Sequence, residues 1–163
     1  MQPKILIIDD QPEMIEVLKE LLAREAYHVL TARSAEDGLR LLEKESVDII
    51  ISDERMPGMQ GSEFFGIVRK RYPETVRIIL TGYASVESAM RAINEGEIFR
   101  FLVKPINRQD LYNAIEDALA SKTKGRTTQR RNSVLETLEK QAPGISHVKR
   151  DEDGVVIIEP DDI

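Results

Sequence analysis

A chain of 163 residues has room for one domain with a sizeable core plus an appendage, and its 41% apolar and 32% charged content is that of a globular protein. A formal net charge of −6 argues against a broad nucleic-acid surface, so no direct nucleic-acid binding is expected. With no cysteine, disulfides, thiolate chemistry and cysteine zinc sites are excluded together, and the two histidines, His28 and His147, read as scaffold or surface residues rather than as a metal site or general base.

The first apolar run, Lys4 to Ile8, reads as a strand and ends in Asp9-Asp10. These acids follow the run at once, which is unlike a signal peptide, and no run approaches the ~20 apolar residues of a bilayer span. A cytoplasmic protein without membrane contact is expected. Pro12 suits the first turn of a helix, in which Ile15, Leu18, Leu21 and Leu22 recur at helical spacing. Tyr27 to Thr31 reads as a second strand. Ser34 is a suitable N-cap, with Asp37 three residues on, for a helix carrying Leu39, Leu41 and Leu42.

Ile49, Ile50 and Ile51 form a β-branched run suited to a strand buried on both faces. It ends in Asp53, and Pro57-Gly58 then break regular structure. Gly61-Ser62 starts a helix through Phe64, Phe65, Ile67 and Val68, stopped by Tyr72-Pro73. Val76 to Leu80 is a fourth strand ending in Thr81-Gly82. Ser85 is the expected cap of a helix Val86–Asn94 that Gly96 ends. Phe99 to Val103 is a fifth strand running into Lys104-Pro105. Asn107 caps a last helix with the stripe Leu111, Ile115, Ala118 and Leu119.

Five strands alternating with five helices imply right-handed βαβ units and a parallel sheet covered on both faces. After Ala120 the character changes. Residues 122–132 read as a polar, basic linker or a helix extension. Residues 133–163 read as a small extension: one short amphipathic helix, then Ile145–Lys149 and Val155–Glu159 flanking an Asp-Gly turn as a β-hairpin.

Strand ends one, three, four and five deliver Asp9-Asp10, Asp53, Thr81 and Lys104. In a parallel sheet these ends share one edge, where ligands gather in open α/β folds. Each residue has a plainer reading as a cap, a turn residue or a surface cation. The ordered set does not. Carboxylates crowded in one pocket repel each other by roughly 1 kcal/mol per pair in water and ~4 near a protein surface. A divalent cation relieves this, and all-oxygen ligands without histidine favour Mg²⁺. The third carboxylate can then act as a nucleophile toward phosphorus, making an aspartyl phosphate. Mg²⁺ and Lys104 would offset charge on the phosphoryl oxygens, and the Thr81 hydroxyl would hydrogen-bond one of them.

On these residues (Asp9-Asp10, Asp53 followed by Met56-Pro57-Gly58 and Gly61, Thr81-Gly82 and Lys104-Pro105) the chain resembles a response-regulator receiver domain of two-component signalling over residues 1–121. The resemblance implies a flavodoxin-like, doubly wound five-stranded sheet of order 2-1-3-4-5 with five helices. It implies phosphorylation of Asp53 by a sensor histidine kinase. Asp10 would be the main Mg²⁺ carboxylate, with Asp9 assisting and the Arg55 carbonyl as a further ligand. Thr81 and Lys104 would contact the phosphoryl group. Phe101 lies at the switch-aromatic position and is expected to turn inward when Thr81 moves toward the phosphoryl group. The Lys104-Pro105 bond is expected to be cis.

Such a protein is not a turnover enzyme: it would phosphorylate and dephosphorylate only itself. The expected output is a changed surface on helix Val86–Asn94, strand five and helix Asn107–Ala120, used for homodimerisation or for docking an unknown downstream protein. Residues 96–101, Gly-Glu-Ile-Phe-Arg-Phe, resemble receivers joined to cyclic-dinucleotide phosphodiesterases, so the alternative is a receiver cut from a longer regulator with an enzymatic output. An aspartyl-nucleophile phosphatase would need an acid two residues after the nucleophile, where this chain has Arg55.

Overall fold

A computed structural model of the protein describes residues 2–82, 86–124, 149–150 and 156–157. The elements alternate as expected: β1 (Lys4–Ile8), α1 (Pro12–Leu22), β2 (His28–Ala32), α2 (Ala35–Lys44), β3 (Ile49–Ser52), α3 (Gly61–Arg71), β4 (Val76–Thr81), α4 (Val86–Gly96), β5 (Arg100–Val103) and α5 (Arg108–Lys124). The five strands are all parallel, in the order β2-β1-β3-β4-β5. This is the flavodoxin-like order anticipated above.

The apolar runs follow from a sheet covered on both sides. Leu6 and Ile8 of β1, Ile50 of β3 and Ile79 of β4 face one core, shared with Phe64, Phe65 and Val68 of α3 and Met90 and Ile93 of α4. Ile5, Ile7, Ile49, Ile51 and Ile78 face the other, shared with Leu18 and Leu22 of α1 and Leu111 and Ile115 of α5. Neither face of these strands meets water, so the usual alternation of polar and apolar residues is lost.

Local signals act as read. Pro12 opens α1. The Ser34 hydroxyl accepts from the Asp37 amide at 3.1 Å. The Asn107 side chain accepts from the Asp110 amide at 2.8 Å. The Lys104-Pro105 bond is cis.

Element boundaries differ by a residue or two in places. β2 is displaced by one residue, because the His28 amide pairs with the Pro3 carbonyl and starts the ladder there. β5 begins at Arg100, one later than expected. Gly96 is the last residue of α4, yet the left-handed residue is Glu97, at φ +44°. α5 runs past Ala120 to Lys124, as the helix-extension alternative for residues 122–132 allows. The Lys122 ammonium meets Asp48 at 3.0 Å and ties this extra turn to the start of β3.

Beyond α5, β6 (Lys149–Arg150) pairs antiparallel with β7 (Val156–Ile157), which is the core of the expected hairpin. The expected cap Ser85, the rest of the linker and the short helix after it lie outside the described residues. Among those described, no helix is long and apolar enough to cross a membrane.

Candidate functional site

The ends of β1 and β3 lie side by side because the Asp53 amide extends the ladder onto the Ile8 carbonyl, at 3.0 Å. That pairing brings Asp9-Asp10 and Asp53 together from 43 residues apart. Asp9, Asp10 and Asp53 each offer a carboxylate oxygen within 4.8 Å of the others. On the far side, the Lys104 amide donates to the Thr81 carbonyl at 2.8 Å, so β5 delivers its lysine beside the end of β4. The Lys104 ammonium reaches back to Asp9 Oδ2 at 3.0 Å and to Asp53 Oδ2 at 3.3 Å.

The remaining oxygens are also held. Asp9 Oδ1 accepts from the Gln11 amide at 2.9 Å, and Asp53 Oδ1 from the Arg55 amide at 3.3 Å. Asp9 is 2% exposed and Asp53 8%. Burial pushes the Asp9 carboxyl above the ordinary carboxylate range, and the Asp53 charge adds to this. The Gln11 amide and Lys104 oppose that rise without cancelling it.

Three acids therefore converge where one ammonium bridges two of them, Asp9 and Asp53. The surplus negative charge, the all-oxygen donors and the short separations fit a hard divalent cation. No cysteine exists, and His28 is exposed on β2, so a soft-metal site is not built from these residues.

Each residue named from sequence falls on this edge or beside it. Thr81 is buried at the end of β4, and Arg55 sits in the loop that follows Asp53. The Phe101 ring is fully buried among the α3 and α4 side chains. Inward is where the apolar ring minimises its contact with water.

Two buried charges were not anticipated. Glu54, 1% exposed, accepts from the Ser62 hydroxyl at 2.7 Å. Arg77, also 1% exposed, donates to the Thr75 carbonyl at 3.0 Å and the Glu97 carbonyl at 3.3 Å. For Arg77 the sequence signal was a charge inside an apolar strand; Glu54, within the polar run Ser52 to Arg55, carried none.

A doubly wound sheet with an acidic trio and a lysine at its carboxyl edge, where ligands bind in open α/β folds, is the arrangement implied by the receiver resemblance. The family description of the response regulator receiver domain matches residues 5–116, and the chain belongs to that family. Over 115 residues it is 43% identical to the transcriptional regulatory protein GlrR of Escherichia coli K12, covering 71% of this chain and 26% of that protein. Over 118 residues it is 36% identical to the hydrogenase transcriptional regulatory protein HoxA of Cupriavidus necator, covering 72% of this chain and 24% of that one.

Among solved structures, the signal receiver domain of an HD domain-containing protein from Pseudomonas fluorescens Pf-5 is similar at a TM-score of 0.74 and 37% identity, covering 77% of this chain and 100% of its own. The beryllofluoride-activated NtrC4 receiver domain dimer is similar at a TM-score of 0.68 and 28% identity, covering 73% and 98%. The chain spans about a quarter of the length of the curated relatives it matches.

Proposed function

We propose that the protein is the phosphoacceptor of a two-component relay, taking a phosphoryl group onto Asp53 from a phosphohistidine of a sensor histidine kinase. One observation carries this reading: three carboxylates converge within 4.8 Å, and one lysine bridges two of them. A carboxylate oxygen of Asp53 attacks phosphorus as the phosphorus–nitrogen bond of the donor breaks, and the product is an acyl phosphate. Asp9, Asp10 and Asp53, with the Arg55 carbonyl, would hold Mg²⁺, which supplies charge neutralisation to the transferring group. Lys104 gives up its contact with Asp53 to a phosphoryl oxygen. The buried Thr81 hydroxyl donates to another. The protein modifies itself and turns over no external substrate. It acts in the cytoplasm.

The output is a shift in the population of two shapes of the α4–β5–α5 surface. Homodimerisation is supported by the solved dimer of the similar NtrC4 receiver, and that surface is where this reading puts it. A second reading is favoured by length. The relatives, named as transcriptional regulators, are about four times as long as the matched segment, so this receiver would serve a further output domain. Any nucleic-acid contact would then belong to that domain rather than to residues 1–121.

Labelling with acetyl phosphate and Mg²⁺ tests the acceptor. Wild type incorporates phosphate and Asp53→Asn does not. Labelling of the variant at the wild-type rate removes Asp53 from the role. Light scattering with and without beryllofluoride tests the output, and unchanged mass in both states removes homodimerisation.

A further inference from the structure

The residue after the acceptor is a buried acid, and its place is specific. Glu54 Oε1 accepts from the Ser62 hydroxyl at 2.7 Å and from the Ser62 amide at 3.4 Å. Ser62 is fully buried and is the second residue of α3. Gln60, the N-cap of α3, makes no side-chain bond to the helix's first turn. Its amide oxygen is taken by Arg91 of α4 instead. The Gly61 amide donates to the Glu54 carbonyl at 3.0 Å. Both the backbone and the side chain of Glu54 therefore serve the start of α3.

That helix start is pressed against the acceptor. A Cβ on Gly61 would lie 2.3 Å from the Asp53 carbonyl oxygen. Helix N-termini attract carboxylates through their unpaired amides and the helix dipole. Asp53 is an obvious candidate for capture. Its carboxylate instead faces away, toward the Arg55 amide and Lys104.

Resting on the phosphoacceptor reading, we propose that Glu54 is a positioning residue for Asp53: it occupies the donors at the start of α3, so that the Asp53 carboxylate stays in the pocket with Asp9 and Asp10. Without it, Asp53 gains a competing partner away from the cation. Binding of Mg²⁺ and transfer of phosphorus weaken together.

The experiment uses the full chain, with Glu54→Ala, Glu54→Gln, Ser62→Ala and Asp53→Asn beside wild type. Three quantities are read: the Mg²⁺ dissociation constant from backbone amide shifts, the labelling rate with acetyl phosphate at saturating Mg²⁺, and the urea midpoint. Glu54→Ala raises the dissociation constant and lowers the rate by about tenfold or more, the usual effect of losing a group that orients a metal ligand. Glu54→Gln keeps an oxygen that accepts from Ser62 and returns both quantities to within about threefold of wild type, although its charge is gone. Ser62→Ala shifts both in the direction of Glu54→Ala.

A folded Glu54→Ala with wild-type affinity and rate overturns the proposal. If that variant does not fold, Ser62→Ala decides, and wild-type values there overturn it equally. Should Asp53→Asn label as wild type does, the acceptor reading fails and the role of Glu54 fails with it. A silent Asp53→Asn beside a fully active Glu54→Ala overturns the role of Glu54 alone.

Discussion

Replacing Gly61 by alanine tests how tightly α3 is pressed on the acceptor strand. The added methyl carbon would sit 2.3 Å from the Asp53 carbonyl oxygen and 3.1 Å from both the Asp53 carbonyl carbon and Ile79 Cδ1. Cβ atoms essentially never approach another heavy atom within 3.0 Å, so a gap of about 0.7 Å must open. Backbone cannot rotate aside as a side-chain tip can. Either α3 moves outward or the end of β3 moves, and both disturb close packing at a cost of about 1–3 kcal/mol. At 25 °C that is roughly a 5- to 150-fold change in the unfolding equilibrium. Urea unfolding measures it directly, and heating shows a fall in Tm on the order of 5–10 °C. Gly82→Ala is the control. Among the described residues its Cβ would meet Lys104 Cβ and Cδ, each at 3.8 Å, an ordinary contact, so its stability stays within about 0.5 kcal/mol of wild type. Equal stability of Gly61→Ala and wild type would refute the reasoning.

Three further outcomes are expected. Burial tends to raise the Asp48 pKa, but the Lys4 amide and the Lys122 ammonium outweigh it and hold the carboxyl below its ordinary value. Its stabilisation is therefore complete above the unfolded value of about 3.9 and is lost as pH falls through the folded one. Lys122→Ala flattens that acid loss in urea melts taken between about pH 5 and pH 2, while costing under about 1 kcal/mol at pH 7; an unchanged acid limb would remove the contact. Phe101→Ala, which empties a fully buried site, costs about 3–5 kcal/mol in urea unfolding, and a loss below about 1 kcal/mol would mean that the ring is not packed as described. Mg²⁺ at 100 times its dissociation constant stabilises wild type by about 2.7 kcal/mol, and Asp9→Asn loses most of that gain; equal shifts in the two proteins would place the ion elsewhere.

Much of this was legible because it rests on local signals. Pro12, Ser34 and Asn107 mark helix starts through backbone geometry and short-range hydrogen bonds. Ile49 to Ile51 marks a doubly covered strand through composition alone. The site was legible because parallel topology sends every strand end to the same edge, so position in the chain stands in for position in space. Glu54 and Arg77 were not, since their partners lie 8 and 20 residues away and depend on how helices seat against the sheet. The extent of α5 was left open between a linker and a helix extension for a similar reason. Its last turn is held by Asp48, 74 residues earlier, and nothing near Lys122 signals that contact. Phe101 shows another limit. A position in a motif names the aromatic, but where its ring rests is decided by packing against α3 and α4.

The buried Arg77 also connects the pocket to the surface expected to change. Folding raises the Asp9 pKa, so the contribution of that residue is present below about pH 3.9 and is lost as pH rises through the folded value. Near neutral pH the fold therefore carries an electrostatic penalty at the end of β1 that a cation or a rearrangement relieves. β4 runs from that edge, at Thr81, back to Arg77 near its start. The Arg77 guanidinium binds the carbonyl of Glu97, where the chain leaves α4 in a left-handed conformation, and the Arg77 carbonyl receives the Phe99 amide at 2.6 Å. One strand thus touches the pocket with its last residue and fixes the α4–β5 turn from near its first. A change at Thr81 therefore meets an α4 that is anchored at its carboxyl end.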